Sequence, residues 1–178
     1  MIHTIRSVWF LGLVLLMTSV VLPRPASAQE TEKNSEKNIT RFKDWAVICP
    51  DPDNEKVPGC EAILRVTVAE TGQQILQVSI FKVAESEHPL GIVILPLGFL
   101  LPQGALLSVD GKEVGRLPIQ RCEPVGCLAP LILNDEVKSF FKAGKAAEFK
   151  ITNAQGQAVA LPMSLSGFSA ALAALDKS

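Results

Sequence analysis

Residues 44–68 read DWAVICPDPDNEKVPGCEAILRVTV, and the alternation within them decides the architecture. Trp45, Val47 and Cys49 share one face of a first strand, and Cys60, Ala62, Leu64, Val66 and Val68 share one face of a second. Glu61, Arg65 and Thr67 point the other way. Between the strands, the three prolines and the glycine of Pro50–Gly59 exclude continued sheet and predict an exposed loop. A link from Cys49 to Cys60 would close that loop, with Trp45 packed in the core beside it. Cys122 and Cys127, enclosing Glu123, Pro124, Val125 and Gly126, form a second and tighter pair.

Outward from this stretch the chain divides simply. Residues 1–28 carry His3 and Arg6, an apolar run from Ser7 to Leu22, and then Ala26, Ser27 and Ala28, the pattern of a secretory signal peptide. The run is shorter than the roughly 20 residues a membrane span needs, and no cysteine follows to accept a lipid, so export without stable membrane insertion is expected. Residues 29–40 (QETEKNSEKNIT) are polar and almost free of large apolar side chains, which predicts a flexible lead. Residues 41–178 form a single domain. Loss of Arg6 and Arg24 with the leader takes the formal charge from −1 to −3, too weak and mixed for nucleic acid or anionic lipid.

Within the domain, Gln74–Val83 alternates as a third strand, and Ile92–Leu101 (IVILPLGFLL) reads as a buried strand kinked at Pro96 and Gly98. Leu106–Val109 and Val114–Gln120 flank an Asp110-Gly111 turn, the mark of a hairpin, and Phe149–Ile151 pairs with Val159–Leu161 across Gln155-Gly156. Asn134, Val137, Phe140, Phe141 and Gly144 predict a short capped helix. Ser166 is expected to cap a C-terminal helix whose stripe is Phe168, Ala171, Leu172 and Leu175. Many short strands, regular turns and two minor helices specify a mainly β sandwich of two sheets.

Four cysteines in an exported chain allow three pairings. Loop entropy favours long closures, ~4 to 5 kcal/mol against ~2 to 3 for each local pair, so it does not choose. The need for bridged Cα atoms within ~7 Å does, and it assigns Cys49 to Cys60 and Cys122 to Cys127. A four-thiolate metal site fits poorly, because the ten residues between Cys49 and Cys60 are not knuckle spacing. A redox role for Cys122 and Cys127 lacks a C-x-x-C motif. Asp51, Asp53 and Asn54 begin like a calcium loop, but Lys56 replaces the required glycine and Ala62 the terminal glutamate. His88 lies between Glu85, Glu87 and Pro89 without further ligands nearby, and no serine sits in a nucleophile elbow. No catalytic residue, metal or cofactor is therefore assigned, and the chain is expected not to be an enzyme.

An ordered set of residues resembles the invasion-associated locus B family of exported alphaproteobacterial proteins. The set is Phe42, Asp44, Trp45 and Cys49; Cys60; Pro96, Leu97 and Gly98; Gly104; Asp110-Gly111; Leu117-Pro118; Cys122, Gly126 and Cys127; Ala143-Gly144; and Pro162, Ser164, Leu165, Gly167 and Phe168. It runs from Phe42 to Leu175, nearly the whole domain. The resemblance implies an immunoglobulin-like β-sandwich in the periplasm or secreted, with a founding member tied to entry into host red cells and many relatives in bacteria that invade nothing. It carries over no catalytic motif. Two functions follow: a non-catalytic envelope binding protein, or a periplasmic carrier or enzyme with a pocket between the sheets. For the first, Ile92, Ile94, Phe99 and Leu101 are the contact candidates, facing an envelope or host protein or a second copy of the chain. The alternative there is that one of the two helices covers the second face of Ile92–Leu95.

Overall fold

Alternating apolar positions over Ile39–Leu95 fold as one antiparallel meander: β1 (Ile39–Phe42), β2 (Trp45–Ile48), β3 (Glu61–Thr67), β4 (Gln74–Phe81) and β5 (Leu90–Leu95). The structure is a computed structural model and describes residues 38–50 and 59–177. The expected signal peptide, residues 29–37 of the lead and the segment weighed for calcium at Asp51, Asp53 and Asn54 lie outside the described residues. Ile39 and Thr40, read from the sequence as the end of the lead, belong to β1, where Ile39 stands opposite Ile48.

After β5 the chain crosses to a second sheet for β6 (Ala105–Val109) and β7 (Lys112–Leu117), then returns for β8 (Arg121–Glu123) and β9 (Gly126–Ile132). Helix α1 (Asp135–Ala143) leads to β10 (Ala146–Thr152) and β11 (Ala158–Ser164), and α2 (Phe168–Leu175) closes the fold. The sheets are seven-stranded, in the order β1-β2-β3-β4-β5-β9-β8, and four-stranded, in the order β11-β10-β6-β7. Their inward residues form one core, with Leu76, Val78, Ile80 and Val93 from the larger sheet meeting Leu107, Phe149, Leu161 and Met163 from the smaller. This is the two-sheet, mainly β sandwich with a C-terminal helix that the alternation specified.

Local chemistry explains the turns and caps. Asp110 and Gly111 take φ of +47° and +81°, as a two-residue hairpin turn demands. The Asp110 carboxylate also accepts the backbone N–H groups of Lys145 and Ala146 at 3.0–3.2 Å, tying the β6–β7 turn to the start of β10. Asn134 caps α1 by accepting the Val137 N–H at 2.9 Å, and Phe141 is the helix's buried anchor. Helix α2 differs from the expectation. Its N-cap is Gly167 rather than Ser166, because φ there is +95° and a Cβ would collide with the Phe42 carbonyl oxygen. Ser166 instead accepts the Asp44 N–H through its carbonyl, at 3.3 Å.

The Ile92–Leu101 segment is also not one kinked strand. β5 stops at Leu95, because Pro96 has no N–H for the ladder and Gly98, at φ +90°, redirects the chain into a short 3-10 turn at Leu101–Gln103.

The Asp110 carboxyl is held below the usual carboxylate range, first by the Ala146 N–H and then by that of Lys145. A group whose pKa is depressed on folding stabilises the fold above its unfolded pKa, and the contribution disappears as pH falls through the folded value. The acid limb of thermal stability, below about pH 4, is therefore expected to be shallower in Asp110→Asn than in the parent. Melting curves at a series of pH values check this, and parallel acid limbs would refute it.

Candidate functional site

Both cysteine pairs are bridged, Cys49 to Cys60 and Cys122 to Cys127, with Cα atoms 4.1 and 3.9 Å apart. Each links strand neighbours at a hairpin mouth. Cys122 and Cys127 are direct register partners, and Cys49 and Cys60 continue the register in which Ile48 faces Glu61. Closing ten intervening residues constrains the unfolded chain more than closing four, by about 3 against about 2 kcal/mol. Replacing Cys49 and Cys60 together by alanine is expected to lower unfolding stability by about 3 kcal/mol, and the other pair by about 2. Denaturant titration under non-reducing conditions checks the order, and equal losses would overturn it.

His88 lines a surface cleft of about 220 Å³ with Lys82, Lys138, Lys142, Leu172 and Asp176. Its charges are largely compensated: Lys82 lies 3.8 Å from Asp176, and Lys138 2.7 Å from Asp135. The Asp135 carboxyl is held low by the Lys138 hydrogen bond and charge, with smaller contributions from His88 and Lys142. Among the described residues, no group of three or more His, Cys, Asp or Glu side chains is placed to hold a metal ion.

The two outward sheet faces differ sharply in chemistry. On the smaller sheet, register sets Glu148 beside Ser108 and Lys150 beside Leu106, with Glu113 and Arg116 next along. Glu148 binds Lys150 at 2.9 Å and accepts the Ser108 hydroxyl at 3.1 Å, a face suited to water. On the larger sheet three rows run across the strands. The first is Ile39, Ile48, Glu61, Phe81, Leu90 and Ile132; the second Arg41, Ala46, Ile63, Ser79, Ile92 and Pro130; the third Arg65, Gln77, Ile94, Leu128 and Arg121. Most of these side chains are apolar; Ile132 is 59% exposed and Ile48, Phe81, Leu90, Ile92 and Ile94 are half-buried, whereas Ala46, Ile63, Ser79 and Leu128 are buried.

This places the contact candidates individually. Ile92 and Ile94 lie half-buried on the outward face, while Val93 and Leu95 enter the core. Leu101 is exposed, with Leu97 and Leu100, on the loop after β5. Phe99 is not a surface anchor. It is 7% exposed and part of the core, because its backbone bridges to Asn153 and carries the ring inward. The helices do not lie over the outward face either: Phe141 of α1 and Phe168, Ala171, Leu172 and Leu175 of α2 join the core on the inward side. Ile48, Ile63, Phe81, Leu90, Leu128 and Ile132 completed the face without being singled out from the sequence. The signal for them was present, since β3 and β9 carry apolar residues at both phases of the alternation.

The open edges of β9 and β11 carry proline. Gln120 donates to the Leu128 carbonyl and Leu133 to the Pro89 carbonyl, so alternate β9 residues aim their backbone groups away from β5, and Pro130 is one of them. Asp110 donates to the Ala146 carbonyl, so Ala146 and its partner Ser164 are turned from each other. Pro162, two residues before Ser164, therefore lacks its N–H on the open side of β11. Such prolines deny an incoming strand its ladder.

The matched family model is that of the Invasion associated locus B (IalB) protein, over residues 45–176. The chain belongs to the IalB family. An invasion protein B homolog of Brucella abortus strain 2308 is 31% identical over 132 residues, covering 74% of this chain and 75% of the relative. Invasion protein B of Bartonella bacilliformis is 30% identical over 132 residues, covering 72% and 69%. The crystal structure of invasion associated protein b from Bartonella henselae shares the fold, with a TM-score of 0.69 at 23% identity, covering 78% of this chain and 96% of that one. The family match spans the sandwich from Trp45 to Asp176, including both disulfides.

Proposed function

We propose that this IalB-family chain is an exported, non-catalytic contact protein of the bacterial envelope, serving envelope function or host-cell invasion, the process in its relatives' names. Its contact surface is the outward face of the seven-stranded sheet. The observation that carries the reading is the contrast between the two outward faces: the smaller sheet pairs Glu148 with Lys150 and Ser108, whereas the larger shows half-buried Ile48, Phe81, Leu90, Ile92 and Ile94 and exposed Ile132, with charged residues interspersed. Apolar side chains left part-exposed on a sheet face mark an interaction site on a water-soluble domain. Proline at the open edges of β9 and β11 disfavours strand addition at those two strands. Export is supported by the leader pattern in residues 1–28 and by disulfides, which persist in oxidising compartments.

Ile132→Asp and Ile92→Asp are expected to reduce retention of the protein by isolated cell envelopes. Ile132, being exposed, should leave stability within about 0.5 kcal/mol of the parent. Undiminished retention of both variants would reject the face as the contact surface. Fractionation with mass measurement of the N-terminus tests export, and a protein confined to the cytoplasm would reject it.

A further inference from the structure

From the same face, and resting on its being the contact surface, we infer that its occupant is a second copy of the chain. The two copies are related by a twofold axis crossing the strands along the row Ala46, Ile63, Ser79, Ile92 and Pro130. The argument is that the face is complementary to itself about that row. On β3 the outward residues are Glu61, Ile63 and Arg65 in succession. A twofold axis through Ile63 sets Glu61 of each copy over Arg65 of the other. The same operation sets Leu90 over Ile94 on β5, both half-buried, so apolar side chains meet apolar ones there.

On β4 it brings Phe81 to Gln77. The Gln77 amide is already engaged, accepting from Arg65 at 2.9 Å and donating to Ser79 at 3.2 Å, so no polar group is stranded beneath the ring. An axis displaced by one residue would instead put Arg65 over Ile63 and lose the charge match. Sheets packed face to face tolerate the crossing of about 30° that their twist imposes.

Area sets the strength. Five strands, β2 to β5 and β9, spaced by about 4.8 Å and carrying three outward rows, give a footprint of roughly 500 Å² per copy. The total of about 1,000 Å² lies at the lower end of specific interfaces, so the dimer is reversible and concentration-dependent.

Sedimentation velocity on the mature protein over a concentration series tests the pairing. The parent is expected to pass from monomer to dimer. Glu61→Arg and Arg65→Glu, which place like charges across the axis, are each expected to weaken self-association about tenfold. The deciding sample is an equimolar mixture of the two variants, in which every cross-axis pair is again of opposite sign. Association near the parent's strength is expected there, a recovery that misfolded variants would not show. A parent that stays monomeric throughout, or a mixture that associates no better than its components, overturns the dimer. If the parent stays monomeric while Ile132→Asp still loses envelope retention, the contact face stands and only its occupant is wrong. If neither dimerisation nor retention responds to Ile132→Asp, both readings fall.

Discussion

Replacing Trp45 by alanine is expected to cost about 4 kcal/mol and to lower Tm by about 15 °C. Trp45 is 1% exposed, and its indole ring packs edge-on against Phe168 at 5.3 Å, which in turn meets Phe141 edge-on at 5.3 Å. Three aromatic rings thereby join β2 to both helices. The indole Nε1–H also donates to the Ser164 carbonyl at 2.9 Å, reaching the last strand of the opposite sheet. Truncation leaves a cavity and deprives that carbonyl of its donor, two costs that add. Trp45→Phe separates them: it keeps most of the ring and loses the hydrogen bond, for about 1 to 2 kcal/mol. Thermal and denaturant unfolding check both variants. A loss below about 1 kcal/mol for the alanine variant would mean that the aromatic cluster does not hold the helices to the sandwich.

Phe99→Asp is expected to unfold the domain, whereas Leu101→Asp, two residues on, should leave stability within about 0.5 kcal/mol of the parent. Phe99 lies in the core with Leu107 and Phe149, so a carboxylate there is buried without a partner, at a cost of several kcal/mol against a total stability of about 5 to 15. Leu101 is 44% exposed and a charge there remains hydrated. Circular dichroism of the two variants decides the matter. A folded Phe99→Asp protein would place that ring at the surface and reopen it as a contact anchor.

The contrast between Phe99 and Leu101 marks where reading the chain by pattern stops. Period-two alternation identified β2 to β4, turn chemistry the Asp110-Gly111 hairpin, and capping with helical spacing the aromatic side of α1, because those signals depend on neighbours in sequence. The local pairing of Cys49 with Cys60 and Cys122 with Cys127 was legible for the same reason, since only residues at a hairpin mouth approach within bridging distance without long-range folding. Within IVILPLGFLL the apolar excess was visible, but not the side on which each residue would lie. Pro96 ended the strand and Gly98 turned the chain, so the alternation could not be carried through to Phe99.

Composition and alternation by themselves determined that this chain makes a disulfide-stapled, two-layer β fold with a C-terminal helix, because strand period, turn chemistry and cysteine spacing are local properties. Tertiary structure alone decided how the strands line up. Only the register places Ile48, Phe81, Leu90 and Ile132 in one row and Glu61 four residues from Arg65 on one outward line. It also put both helices against the core, leaving the second face of β5 to other neighbours. Those outcomes rest on pairings between residues far apart in the chain, which no window of sequence contains, and the surface from which function is inferred exists only once they are made.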